Sequence, residues 1–179
     1  TELGIKLDKR ALESKNFGQD VPFLLDAMPS VVTTSDAGAG VGYSGIRVRG
    51  MDASRINVTI NGIPVNDPES HEVYWVNMPD LVSSAESISL QRGVSSSSNG
   101  TAAFGASLNL KTNDIARDAF GVLDNSYGSF NTFKNSIKAG TGLIKDKFFM
   151  ETRLSRISSD GYIDRASSNL RSWYLSGGY

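Results

Sequence analysis

A strict alternation of apolar and polar side chains in the last third of the chain limits what it can fold into. Three segments, residues 131–140, 147–155 and 170–179, carry a mostly apolar set of side chains at every second position. These sets are Phe133, Asn135, Ile137 and Ala139; Phe148, Met150, Thr152 and Leu154; and Trp173, Leu175 and Tyr179. Because successive side chains of a β-strand point to opposite faces, the pattern predicts two-faced strands of about ten residues.

The connections between these strands differ in length. Lys145-Asp146 predicts a tight turn, whereas Ser158–Asn169 predicts a longer loop. Long two-faced strands with short turns at one end and longer loops at the other are typical of an outer-membrane barrel. An ordinary antiparallel meander with one wet face has the same alternation, so the periodicity alone leaves both architectures open.

The earlier part of the chain has shorter apolar runs and many turn-forming residues. The 18 Gly and 25 Ser together make up 43 of 179 residues, which is typical of short strands joined by loops. Asp20 and Pro22 predict the start of a helix of about eight residues that ends at Pro29, and Asp80 predicts the cap of a short helical turn through Ala85. Strands are predicted at Ile46–Gly50, at Arg55–Ile63 with an Asn61-Gly62 hairpin turn, at Ile88–Arg92 and at Leu108–Thr112. The chain is therefore predicted to be α+β, with a mixed sheet of about four strands and short helices followed by antiparallel β-strands.

The charge distribution divides the chain near residue 115. Residues 1–115 hold 9 Lys+Arg and 13 Asp+Glu (net −4), whereas residues 116–179 hold 9 and 6 (net +3), which sum to the overall net charge of −1. This balance argues against a nucleic-acid partner. We expect two units, 1–115 and 116–179, and we expect the chain, which begins with Thr1, to be trimmed from a longer protein.

The inventory of reactive residues argues against an enzyme. The sequence has no Cys and a single His, His71, and it lacks the Gly-x-Ser-x-Gly and His-Glu-x-x-His motifs. The glycine-rich segment 35–45 lacks the Lys-Ser/Thr of a P-loop, so a surface loop is predicted there. The carboxylates of Asp67, Glu69 and Glu72 match no calcium-loop spacing, which favours a solvated acidic loop over a calcium site. We therefore expect no catalytic residues, no metal site and no cofactor.

Three motifs resemble one known family. Ile46–Asp67 resembles the strand-turn-strand signature of the plug domain of TonB-dependent outer-membrane receptors. Ala85–Thr112 resembles the second plug signature, in which Arg-Gly is followed by a small-residue loop, Gly-Ala and a final strand. Val21–Val32 resembles the first plug helix and the proline after it. The three motifs stand in the family's order, and residues 120–179 resemble the first strands of the attached barrel.

The resemblance implies a gate in a transporter. It implies a plug domain over residues 1–115 and about four barrel strands over 116–179, located in the cell outer membrane with the plug reaching the periplasm. The implied partners are the remainder of the barrel, the TonB energy-transducing complex and a small-molecule or glycan substrate, such as an iron-siderophore, another metal chelate or cobalamin. A secreted or surface β-rich module for carbohydrate binding or adhesion is the alternative.

The resemblance also implies roles for individual residues. In the family, plug arginines that end a strand before Gly pair with barrel glutamates, so Arg49 and Arg92 are expected to lock the plug to barrel residues beyond 179. Solvated strand-end arginines are the alternative. The loops Ser35–Ser44, Asp67–Asn77 and Ser95–Gly100 are the expected substrate surface. Their candidate residues are Tyr43, His71, Tyr74, Trp75 and Asn99, although Tyr74 and Trp75 could instead pack within their own domain.

The sequence departs from the family pattern at three points. Glu86 is displaced from its usual place before the strand, the short segment that pairs with TonB is not visible in residues 1–18, and the chain holds at most about four barrel strands. An incomplete barrel leaves an apolar face and an open edge. We therefore expect residues 120–179 to pair with another copy, to fold back as a meander on the plug, or to be poorly ordered.

Overall fold

The described part of the computed structural model comprises residues 4–93, 105–112 and 115–179. Within these ranges the chain forms two short α-helices, three 3-10 turns and eleven β-strands. The helices are α1 Lys9–Lys15 and α2 Val21–Leu24, and the 3-10 turns are Ala53–Arg55, Trp75–Asn77 and Leu81–Ser84. The strands are β1 Gly4–Asp8, β2 Val31–Ser35, β3 Ser44–Val48, β4 Ile56–Ile60, β5 Ile63–Pro64, β6 Ser87–Arg92, β7 Ala106–Lys111, β8 Phe120–Gly128, β9 Thr132–Gly140, β10 Phe149–Ser159 and β11 Ser168–Gly178.

The first seven strands and both helices form an N-terminal unit. Its main sheet has the order β1-β6-β7-β4-β5, and β4 pairs with β7 in parallel while the other pairs are antiparallel. The predicted mixed sheet is thereby confirmed, with five strands. The segment predicted at Ile46–Gly50 lies outside it, because β3 pairs with β2 in a separate two-stranded sheet.

The N-terminal unit has a hydrophobic core of its own. Eighteen buried apolar side chains form one cluster, and Leu25, Ile88 and Leu90 within it are completely buried. Ile88 and Leu90 alternate along β6 with partly exposed or polar neighbours, so β6 presents its apolar face to this cluster. This unit therefore holds its strands in place by apolar burial.

Asp20 and Asp80 occupy the N-cap positions predicted for them, but neither side chain makes the cap bond. Asp20 makes no cap bond to α2 and instead accepts a hydrogen bond of 2.7 Å from the hydroxyl of Ser44, and α2 ends after four residues. Asp80 also makes no cap bond, and its backbone is left-handed with φ 55°. By contrast, the predicted hairpin turn is confirmed: Asn61 and Gly62 have φ of 53° and 82° between the paired strands β4 and β5.

The last four strands form an antiparallel C-terminal sheet in the order β11-β10-β9-β8. The predicted alternation is confirmed. One face, here called the inward face, packs on the N-terminal unit and contains the buried residues Lys134, Ser136, Arg153, Ser155 and Ile157. The other face, here called the outward face, contains large exposed apolar side chains such as Trp173, which is 74% exposed.

Residues 120–179 fold back as a meander on the N-terminal unit, which is one of the three expected arrangements, but only their inward face is covered. Phe148, Met150 and Trp173 all remain exposed on the opposite face, which counts against the expectation that the apolar face would be covered or disordered. The turn at Lys145-Asp146 is as tight as predicted, with φ of 53° at both residues. The sheet therefore has one face adapted to a protein surface and one face that is apolar and unpartnered.

Candidate functional site

A buried group of charged side chains joins the N-terminal unit to the C-terminal sheet. Asp80, in the turn before β6, lies with its Oδ1 3.4 Å from the Lys134 Nζ and its Oδ2 3.1 Å from the Arg153 Nη1. The side chains of Asp80 and Lys134 have no exposed surface, and the Lys134 Nζ also lies 2.7 Å from the Asp124 Oδ2. We call Asp80, Asp124, Lys134 and Arg153 the junction cluster. Two acidic and two basic groups balance its charge.

Hydroxyl and main-chain groups complete the environment of Asp80. The Ser155 hydroxyl donates to the Asp80 Oδ2, and Arg153 also donates to the Asp80 main-chain carbonyl. The Ser83 hydroxyl donates to the Asp80 Oδ1 at 2.6 Å, and it accepts in turn from the side-chain amide of Asn16 at 2.9 Å. Burial alone would raise the pKa of the Asp80 carboxyl, but Lys134, Arg153 and the two hydroxyls hold that pKa below its usual value. Asp80 is therefore a carboxylate at neutral pH, bound from both units.

Beside the junction cluster the contact between the two units is open. A cavity of about 670 Å³ lies between α1 and the inward faces of β8, β9 and β10. Its lining includes polar and charged side chains from both sides, namely Lys9, Glu13 and Asn16 of the N-terminal unit and Ser136, Lys138 and Glu151 of the C-terminal sheet. Lys138 and Glu151 pair with each other at 3.0 Å across β9 and β10. The two units are therefore joined by a few buried polar contacts next to a wide cavity with both polar and apolar lining.

The two arginines expected to form a lock lie close together. Both contact the turn at Pro29-Ser30: the Arg92 Nη1 donates to the Pro29 carbonyl at 3.2 Å, and the Arg49 backbone N–H donates to the Ser30 carbonyl at 2.8 Å. The Arg49 Nη1 also lies 3.4 Å from the position that a Cβ would occupy at Gly93. Within residues 4–93, 105–112 and 115–179, no carboxylate forms an ion pair with either arginine, and the buried Arg92 Nε has no hydrogen-bond partner.

Three of the expected substrate-facing residues meet at one small cavity of about 220 Å³. Tyr43, Tyr74 and Trp75 line it together with the carboxyl-bearing residues Asp36 and Glu72. Tyr43 is 62% exposed, whereas Trp75 is only 3% exposed and belongs to the hydrophobic core, with an edge at the cavity.

The other two candidates lie elsewhere. His71 is outside this lining, in a turn where its backbone N–H donates to the Asp67 carbonyl at 2.9 Å. The Asp67 carboxylate also accepts from the backbone N–H groups of Glu69 and Ser70, at 3.0 and 2.8 Å, so this carboxylate is bound within its own turn. Asn99 lies outside the described residues.

The glycine-rich loop next to this cavity contacts the C-terminal sheet. The backbone N–H of Tyr162, in the loop between β10 and β11, donates to the Ala37 carbonyl at 2.8 Å. Gly38 has φ 72°, and a Cβ there would lie 2.9 Å from the Tyr162 Cβ, so the close approach requires glycine. The small cavity and the β10–β11 loop therefore lie at the same end of the molecule.

Comparison with known proteins identifies the family. A family model described as the TonB-dependent receptor plug domain matches residues 6–107. The chain belongs to this family. No protein of curated function matches the sequence.

Solved structures resemble the plug and the strands after it together. The siderophore receptor PirA from Acinetobacter baumannii is 20% identical with a TM-score of 0.64, over 88% of this chain and 25% of that protein. The copper transporter OprC is 16% identical with a TM-score of 0.72, over 99% and 28%. The pyoverdine outer membrane receptor FpvA from Pseudomonas aeruginosa PAO1 is 12% identical with a TM-score of 0.76, over 96% and 24%. This chain thus spans about a quarter of the length of these receptors and transporters, and it shares their fold.

The junction cluster was missed by sequence reasoning. The sequence predicts a helix cap at Asp80, and the strand pattern alone does not single out Lys134 or Arg153. The sequence signal is a long basic side chain that shares a strand face with a small polar residue two positions later. Lys134 precedes Ser136 in this way, and Arg153 precedes Ser155. Such a cation on a face that packs on another unit requires an acidic partner there.

No helix in the described part of the chain is both long enough and apolar enough to cross a membrane.

Proposed function

We propose that residues 1–115 are the plug, and residues 116–179 the first wall strands, of an outer-membrane transporter that imports a scarce nutrient with energy from the TonB complex. The proposal rests on the two unlike faces of the C-terminal sheet. Its inward face carries the polar and charged groups that hold the plug, and its outward face carries exposed Leu, Ile, Met and Trp side chains. A barrel strand needs this combination, because one face meets lipid and the other meets the lumen.

The contact between plug and wall suits a plug that must move. A dry interface would be stabilised in proportion to its apolar area and would resist sliding. Here the contact consists of the junction cluster, a cavity of about 670 Å³ with a mixed lining, and a few hydrogen bonds such as those from Tyr162 to Ala37 and from Tyr174 to Thr112. The plug is thus fixed at a small number of points, and their release would weaken its hold on these strands.

Arg49 and Arg92 are proposed to be a second set of fixing points. The Arg92 guanidinium contacts the Pro29 carbonyl and the Arg49 guanidinium lies beside Gly93, and the described residues supply neither with a carboxylate, which favours an anionic partner from another part of the wall. A barrel glutamate would satisfy both the charge and the unpaired Arg92 Nε. Substitution Arg92→Gln in the full-length receptor should therefore increase protease cleavage of the plug, and Arg165→Gln in the exposed β10–β11 loop is the matched control.

The substrate is proposed to bind at the end of the plug where Tyr43 and Tyr74 lie, and the expected residues His71, Trp75 and Asn99 are proposed as its surroundings. A cavity of about 220 Å³ is small for a complete site, since ligand pockets usually measure about 300–1,000 Å³. The plug would thus supply one side of the site, and the rest of the receptor would supply the other. Because PirA, FpvA and OprC are named for siderophores, pyoverdine and copper, we propose a metal or metal chelate as the substrate class.

Uptake measurements test this function. A strain that lacks the gene should lose TonB-dependent uptake of one substrate among iron chelates, copper and cobalamin, and the intact gene should restore it. The double substitution Tyr43→Ala with Tyr74→Ala should weaken substrate binding at least about tenfold, because two aromatic contacts are lost. Tyr127→Ala, on the outward face, is the matched control. Unchanged uptake of every substrate after deletion contradicts the proposal, and binding of a glycan without uptake would indicate the adhesion module instead.

A further inference from the structure

An unusual polar row crosses the outward face of the C-terminal sheet. Asn125, Asn135, Arg156 and Arg171 are successive register partners from β8 to β11. Arg156 and Arg171 are direct partners and are both exposed. Directly opposite side chains on one face have Cβ atoms about 4.5–5.5 Å apart, and like charges at that distance destabilise a sheet. An anion bound between the two guanidinium groups would remove this repulsion.

The described residues do not provide that anion. No carboxylate in residues 4–93, 105–112 or 115–179 forms an ion pair or a hydrogen bond with Arg156 or Arg171. The next row towards the β9–β10 turn is fully apolar and consists of Leu123, Ile137, Leu154 and Trp173. Ile137, Leu154 and Trp173 together with both arginines line a shallow groove of about 480 Å³. The groove thus has a cationic head and an apolar floor.

The arginines lie near one edge of an apolar band. Two aromatic pairs bracket the outward face: Phe148 and Tyr179 have ring centroids 4.8 Å apart, and Tyr127 and Phe133 have centroids 6.2 Å apart. Along β10 the two pairs are separated by ten residues, from 148 to 158, the partner of Phe133. At ~3.3 Å per residue and a tilt of ~40°, ten residues rise ~25 Å, the height of the lipid-facing band of an outer-membrane barrel.

The position of the arginines within this band identifies the membrane leaflet. Arg156 is two residues from Ser158, the register partner of Phe133, and so lies close to the Tyr127–Phe133 pair. The β10–β11 loop beyond it contacts the glycine-rich loop beside the proposed substrate cavity. In the proposed function this is the outer side of the membrane. A charged arginine facing lipid is costly at the centre of the bilayer but nearly neutral at its edge, where headgroups lie.

We infer that Arg156 and Arg171 bind the phosphate of a phosphorylated lipid in the outer leaflet, with an acyl chain of that lipid along Leu154 and Trp173. This inference rests on the proposed function, because it requires the outward face to meet lipid. Guanidinium groups bind phosphate with two parallel hydrogen bonds, and the apolar floor distinguishes a lipid from a free anion. The amides of Asn125 and Asn135 extend the polar row for the rest of the headgroup.

Lipid binding by the full-length receptor tests the inference. The purified receptor in detergent is titrated with three probes, namely lipid A that carries two phosphates, the same lipid after removal of both phosphates, and inorganic phosphate. Bound lipid is counted by native mass spectrometry. The wild type should bind the phosphorylated lipid about tenfold more tightly than the dephosphorylated one, and Arg156→Gln with Arg171→Gln should abolish this preference. Arg165→Gln, which removes an exposed arginine from the neighbouring loop, should keep it.

Each other outcome overturns the inference. Equal affinity for both lipids, or a preference retained in the double variant, excludes the arginine pair as a phosphate site. Competition by inorganic phosphate at equal concentration would assign the site to a free anion. In each of these cases the proposed function stands if the same preparation binds its substrate. A receptor that is not recovered from the outer membrane at all contradicts the proposed function itself.

Discussion

Loss of the Asp80 charge should loosen the plug where it meets the wall. Asp80→Asn keeps the size of the side chain but leaves the cations of Lys134 and Arg153 buried without their shared partner. Removing one partner of a buried ion pair costs about 3–5 kcal/mol. The Asp124 Oδ2 remains 2.7 Å from the Lys134 Nζ, so we expect the lower end of this range, about 3 kcal/mol.

Hydrogen exchange measures this loss locally. Asp80 precedes the 3-10 turn Leu81–Ser84 and the strand β6, so their amides report the opening of the junction. A loss of about 3 kcal/mol corresponds to exchange roughly one hundred times faster, because each ~1.4 kcal/mol is a factor of ten. The measurement uses the full-length receptor, with Asp164→Asn, an exposed carboxylate in the β10–β11 loop, as the control. The control should leave the exchange of both elements unchanged.

A triple variant separates charge from shape. If Lys134 and Arg153 are also replaced by Met, the only charge left in the junction cluster is that of Asp124, whose side chain is 44% exposed and therefore hydrated, and much of the lost protection should return. The reasoning is refuted if Asp80→Asn accelerates exchange in β6 by less than about fivefold, which corresponds to about 1 kcal/mol. It is also refuted if the triple variant is no more protected than Asp80→Asn alone.

Two further predictions concern the stability of the fold. Burial raises the pKa of Asp20 to about 6, and the hydrogen bond from Ser44 only partly opposes this. A carboxyl whose folded pKa is raised contributes stability below its unfolded pKa, and this stability is lost as the pH rises through about 6. Asp20→Asn should therefore raise the free energy of unfolding at pH 8 by up to about 3 kcal/mol and flatten its dependence on pH, as measured by urea unfolding at pH 5 and pH 8. A change of the same size at both pH values, or a loss of stability at pH 8, would contradict this. Gly142 has φ 65°, and a Cβ there would lie 2.5 Å from the carbonyl carbon of Asp118, so Gly142→Ala should cost about 2 kcal/mol or more in thermal unfolding. Gly121→Ala, which has no atom within 4 Å of the new Cβ, should change the stability by less than about 0.5 kcal/mol, and equal effects of the two would remove the steric argument.

The sheet faces could be predicted from the sequence because their cause is local. Alternation in β9, β10 and β11 assigns each side chain to a face from its position alone, and the structure places Ile137, Leu154 and Trp173 together as that rule requires. The Asn61-Gly62 turn was predictable for the same reason, since few other dipeptides adopt two positive φ angles.

The junction cluster could not be predicted because its cause is tertiary. An aspartate after proline and before an apolar residue is a good helix-cap signal, and only the arrival of Lys134 and Arg153, 54 and 73 residues later in the chain, turns its carboxylate elsewhere. The strand β1 was missed for a different reason. It lies at the edge of its sheet and pairs only with β6, so its side chains are exposed or half-buried and carry a weak hydrophobic pattern.

The left-handed backbone of Asp80 has a consequence for the order of assembly. An L-residue adopts this conformation at a cost of about 1 kcal/mol, and here Arg153 offsets that cost by taking both the carboxylate and the main-chain carbonyl of the same residue. Before β10 is in place, the turn lacks the bonds from Arg153 that offset the cost of its left-handed backbone. The turn at Asp80 therefore reaches its final shape only after β10 has packed against it, although the strands around it are already held by their own core.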